Sequence, residues 1–135
     1  METKNVVMLV GRLAADPELK YLDDGTAVAN FAVAVNRSTY KPDGSFEDVL
    51  DGFFDCELYG RQAESLKETC IKGTGVQLSG SLRQKKFRTK GDQPRTVSKI
   101  EVRVSSIAPS FAIPKDAPAI QETPPAQEAP ALQPA

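Results

Sequence analysis

Residues 61–73, RQAESLKETCIKG, bring Ala63, Leu66 and Cys70 round at helical spacing, which sets this stretch apart from its neighbours. The pattern predicts one short helix with Lys72 near its end and Gly73 as a left-handed stop. On either side the period changes to two. FFDCELYG (53–60) places Phe54, Cys56 and Leu58 on one face and Phe53, Asp55, Glu57 and Tyr59 on the other. GVQLSGSLRQKKFR (75–88) points Val76, Leu78 and Leu82 inward. If no bulge intervenes, Gln77, Ser79, Ser81, Arg83, Lys85 and Phe87 point outward. The helix therefore links two strands and covers a barrel end or a sheet edge.

Further out the chain also reads as strand. VVMLVGRL (6–13) is a β-branched run, apolar on both faces and broken by Asp16-Pro17, as suits a buried or interface strand. In AVANFAVAVN (27–36), Ala29, Phe31, Val33 and Val35 share a core face, and Asn30, Ala32, Ala34 and Asn36 share a small, flat one. RSTYKPDGSFEDVLDG (37–52) carries the reversal signal Pro42-Asp43-Gly44, which predicts a long hairpin arm bearing Tyr40. After the turn TKGDQP, TVSKIEVRVSSI (96–107) returns with Val97 at its start and Ile100, Val102 and Val104 inward. Five strands with one α-helix between the third and fourth make the chain mainly β, in the order of the oligonucleotide-binding (OB-fold) barrel.

The barrel is expected over residues 1–108 and a disordered tail over 109–135, where seven of the ten prolines lie among Ala, Gln and Glu without hydrophobic period. Charge is nearly balanced, with 17 basic and 18 acidic residues, so attraction to an anionic partner must come from where charges sit. There is no histidine, and Cys56 and Cys70 lack metal-ligand spacing; both cysteines read as buried apolar residues. No nucleophile has a neighbouring base, so neither enzymatic activity nor a cofactor is expected. With no long apolar run and no leader at METKNVV, a soluble, cytoplasmic chain is expected.

Placement singles out RQKKFRTKGDQPR (83–95), which has six basic residues, one Asp and Phe87 in its midst. Basic hairpins also serve simply to stay soluble and resist edge pairing. Here, however, Tyr40, Phe53 and Tyr59 project from neighbouring elements, and a barrel lets them converge with Phe87 beside Arg83, Lys85, Lys86 and Arg88. An unpaired nucleic-acid strand needs that combination, because bases offer faces to stack and phosphates offer charge to neutralise. Asp55 and Glu57 share the aromatic face; they are expected to pair with Lys or Arg rather than hold a metal, and they repel phosphate. Gly73-Thr74-Gly75 follows a helix instead of preceding one, and reads as a turn.

Two runs carry a resemblance: NVVMLVGRLAADPELKYLDDGTAVANFAVAVNR and LYGRQAESLKETCIKGTGVQLSGSLRQKKF. They resemble the bacterial-type single-stranded DNA-binding protein family, including its phage and plasmid relatives, over roughly residues 4 to 107. The resemblance implies a barrel, a homotetramer with the first strand in the dimer contact, no catalysis, and protection of single strands in replication, recombination and repair. It implies base stacking at Tyr40, Phe53, Tyr59 and Phe87, and basic contacts at Arg61, Lys72 and Lys86. Many relatives carry Trp where this chain has Phe and Tyr. Relatives typically end in an acidic tip with Pro-Phe that recruits genome-maintenance proteins, whereas this sequence ends in EAPALQPA, so recruitment through such a tip is not expected. The competing expectation is an OB-fold reused for protein assembly in replication restart or recombination, with Phe53, Tyr59 and Phe87 buried against a protein.

Overall fold

The computed structural model describes residues 1–113. Its elements are β1 (Val7–Leu13), β2 (Glu18–Tyr21), β3 (Ala27–Tyr40), β4 (Phe46–Tyr59), α1 (Arg61–Thr69), β5 (Gly75–Arg88) and β6 (Thr96–Pro109). The sheet runs β1-β5-β6-β4-β3-β2, and β1 returns to β3 through Arg12↔Ala34 and Leu13↔Val33. That return closes β1, β3, β4, β5 and β6 into the expected five-stranded barrel, mostly antiparallel, with a short parallel β4–β6 contact. The four-residue β2 is an addition to that order, paired to β3. ELKY lacks the apolar alternation that marks a half-buried strand, so nothing in its pattern announces it.

Gly60 turns the chain from β4 into α1 with a left-handed φ of 85°, a conformation in which a Cβ is strained. The helix then buries Ala63 and Leu66 and, with Cys70, closes one end of the core formed by Leu13, Ala29, Phe31, Val33, Cys56, Leu58, Val76, Leu78, Val102 and Val104. Burial of a side chain such as Leu66 contributes about 2 kcal/mol. The helix ends at Thr69, earlier than its spacing suggests, because Cys70 is already extended. Gly73 is left-handed as expected but serves the next turn, where the Thr74 N–H reaches the Ile71 carbonyl.

Three expected core residues, Phe54, Leu82 and Ile100, lie outside the core. Phe54 is 36% exposed and Leu82 45% exposed. Their inward parity is right, but β4 and β5 run past the barrel at the end α1 does not cover. Ile100, 63% exposed, lies at the level of Phe54, one pleat beyond the buried Cys56 and Val102 pair, whereas Leu82 pairs with Val102 itself. On β6 an extra residue, Ser105, bulges between the pairs Ser79↔Ser106 and Gly80↔Val104. Gln62 of α1 serves the ladder there, donating to the Ser105 carbonyl at 3.0 Å and accepting the Ile107 N–H at 3.3 Å. The bulge lies on β6, so the alternation of β5 is undisturbed. The expected tail lies, from residue 114 onward, outside the described residues.

Candidate nucleic-acid interface

Register assembles one outer surface from three strands. The parallel pairing Glu57↔Arg103 sets Phe53, Asp55, Glu57 and Tyr59 of β4 beside Lys99, Glu101 and Arg103 of β6. The antiparallel pairing of Arg83 with Glu101, Lys85 with Lys99 and Phe87 with Val97 adds β5 to the same face. Phe87 remains exposed, whereas Phe53 and Tyr59 are half-buried. By the same alternation Lys86 and Arg88 project to the opposite face of the hairpin from Phe87, so the cations flank the ring on both sides.

The acidic residues on this face are paired, as their sequence setting suggests. Glu57 accepts from Lys85 Nζ at 2.6 Å, and Asp55 from Lys99 Nζ at 2.7 Å. Glu101 lies between the two lysines, at 3.4 Å from Lys85 and 4.0 Å from Lys99. Burial pushes the Glu57 carboxyl up, but hydrogen bonds from Lys85 and Tyr59, with the charges of Lys85 and Arg103, outweigh it and hold the group below its usual value. Lys85 is correspondingly raised, first by its hydrogen bond to Glu57. Lys85 is thus a partner of carboxylates rather than a free cation. A concave surface beside Lys99 is lined by Asp16, Glu18 and Asn30 together with the paired Asp55 and Glu101.

Tyr59 is held at two points. Burial and its hydrogen bond to Glu57 raise its hydroxyl pKa, and the Arg103 guanidinium lies 3.8 Å from its ring centroid. Arg103 and Lys99 escaped attention in the sequence although both fall on the outward set of their strand, alternating with Ile100, Val102 and Val104. The available signal was the same parity that identified Phe87.

Other expected residues lie apart. Tyr40 ends β3 on the arm, which is a paired hairpin out to Tyr40↔Phe46 and is turned by a Gly44 N–H bond to the Lys41 carbonyl. There Tyr40 meets Phe46 edge-on, with centroids 5.3 Å apart and both rings exposed. Phe46 was missed in the sequence, and its symmetric position across Pro42-Asp43-Gly44 was the cue. Arg61 opens α1, and Lys72 follows it, with its backbone N–H on Asp16 Oδ1 at 2.7 Å. Both lie near the helix-covered end, and β5 separates Lys72 from Phe87. Arg83 donates weakly to Ser81 Oγ, and Lys86 and Arg88 form no ion pair among the described residues. Cys56 and Cys70 are buried, and burial pushes the Cys56 thiol up to about 12.

Comparison with known proteins adds independent findings. The profile of the Single-strand binding protein family matches residues 4–108. A single-stranded DNA-binding protein of Mycobacterium bovis is 39% identical over 112 residues, covering 82% of this chain and 67% of that one. One from Treponema pallidum is 40% identical over 79% of this chain and 58% of its own. Among solved structures, a deletion mutant of the single-stranded DNA binding protein from Thermus aquaticus superposes with a TM-score of 0.64 at 27% identity, over 79% of this chain and 50% of that chain. The small single-stranded DNA-binding protein from Streptomyces coelicolor gives a TM-score of 0.66 at 20% identity over 82% of this chain and 98% of its own, a likeness of fold.

Proposed function

This chain belongs to the single-strand binding protein family, and we propose that it covers and protects single-stranded DNA, without regard to sequence, during replication, recombination and repair. The observation that carries the reading is the three-strand surface on which Phe53, Tyr59 and Phe87 share one face with flanking cations. Bases stack on these rings and on Tyr40 of the arm, at ~1–3 kcal/mol per base. Arg83, Lys86 and Arg88 take phosphates along the hairpin, while Arg61 and Lys72 guide the strand past the helix-covered end. Lys85 serves differently: it offsets Glu57 and Glu101 so that the face is not anionic. The work is binding, with no catalytic step, in the cytoplasm where the DNA lies.

Assembly as a homotetramer belongs to the same proposal. Its support is the outward face of β1 and the residue before it, where Val6 is 80% and Met8 74% exposed and Val10 joins them. The relatives favour strand binding over the reading of the barrel as a protein-assembly module.

A fluorescence titration with oligo(dT) at two salt concentrations tests the function. Tight binding that weakens as salt rises is expected, because neutralised phosphates release counterions. Absence of binding, or binding indifferent to salt, overturns it.

A further inference from the structure

We infer that Arg103 is a phosphate-binding residue of this face, held ready by its stack on Tyr59. The inference rests on the reading of the surface as a single-strand platform and assigns it a contact that neither charge clustering nor the hairpin motif points to. Three observations converge on it. The guanidinium carbon lies over the Tyr59 ring, 3.8 Å from its centroid, a contact that restrains a long flexible side chain before any ligand arrives. Its neighbour across the parallel pairing, Glu57, feels the charge of Arg103 but takes its ion pair from Lys85, at 2.6 Å, and forms none with Arg103. Among the described residues Arg103 itself forms no ion pair and no hydrogen bond through its guanidinium, so the in-plane N–H donors remain available.

A guanidinium stacked by its face keeps its edge free, and the edge is the part that grips phosphate, with two parallel charge-assisted hydrogen bonds. The two lysines on the same face have no such freedom, since each is bound to carboxylates. A strand whose base stacks near Tyr59 therefore meets its fixed cation at Arg103, between the barrel wall and the basic hairpin. The ring and the guanidinium act as one unit: Tyr59 orders the cation, and the cation draws the backbone to the ring.

The test compares the wild-type chain with Arg103→Gln and Arg103→Lys in oligo(dT) titrations across a salt series, with light scattering and thermal melting alongside to follow assembly and folding. Arg103→Gln is expected to bind roughly tenfold more weakly at low salt, in line with loss of a hydrogen bond to a charged group. Its slope of log affinity against log salt should be shallower by about 0.7, the change for one phosphate contact on a single strand. Arg103→Lys should recover the wild-type slope, because it restores the charge, while recovering the affinity only in part, because it lacks the planar fork. An unchanged slope in Arg103→Gln overturns the inference, since a residue that merely braces Tyr59 lowers affinity without altering counterion release. A slope lost equally in Arg103→Lys also overturns it. If the wild-type chain itself fails to bind oligo(dT), the proposed function falls instead, a separate outcome.

Discussion

Phe87 is the residue on which charge and stacking most clearly meet, being exposed on the hairpin with Lys86 and Arg88 on the reverse face. Phe87→Ala should weaken oligo(dT) binding by ~1–3 kcal/mol while light scattering shows unchanged assembly. Normal binding by the variant removes Phe87 from the site. The Glu57–Lys85 pair makes a different prediction, about pH. Glu57 titrates below its usual 4.5 in the folded chain, so its contribution to stability is full above that value and is lost as pH falls through the lowered one. Lys85 is raised above 10.5, so its contribution holds at neutral pH and is lost only as pH climbs past the raised value. Glu57→Gln should therefore melt below the wild type near neutral pH, and the gap should close as the pH falls through the lowered value of the Glu57 carboxyl. A gap that persists in acid would mean the pair does not stabilise the fold through charge.

At the scale of elements, strand alternation identified the barrel strands, and the reason is physical: each is half-buried inside a closed wall, so its period of two is fixed by the core. Alternation failed where that cause stops. Phe54 and Leu82 keep inward parity past the barrel's open end, and the pattern cannot tell an enclosed pleat from one that overruns. Alternation also carried the signal for Arg103, but clustered charge on the hairpin drew attention from isolated charges on β6. The β5–β6 ladder supplies its own test. A Cβ on Gly80 would run into the backbone carbonyl of Arg103 at the level of the Ser105 bulge, where no side chain can yield. Gly80→Ala should cost ~1–3 kcal/mol, seen as a lower urea midpoint with an unchanged m-value. Because the same carbonyl belongs to Arg103, the variant should also weaken oligo(dT) binding at a salt slope closer to that of Arg103→Gln. Wild-type stability would show that the ladder relaxes around the methyl group.

At the scale of the molecule, β1 joins fold to assembly. Val7 and Leu9 pack against the core while Val6, Met8 and Val10 face outward. An isolated barrel gains nothing from apolar residues on that side, and an associated one does. Resemblance supplied the tetramer; the strand alone, apolar on both faces, fitted a core strand equally well, since sequence cannot say which face meets the barrel. Met8→Lys separates fold from assembly because Met8 is 74% exposed in the single chain. A lysine there is solvated in a monomer at almost no cost, but enclosed in a subunit contact it carries a desolvation penalty of several kcal/mol. The variant should melt cooperatively as a folded barrel while light scattering reports a smaller mass than the wild type. Its affinity for long oligo(dT) should fall more than its affinity for short strands, because long strands engage several subunits at once and lose that multivalency. A wild-type mass for Met8→Lys would place the subunit contact elsewhere on the barrel.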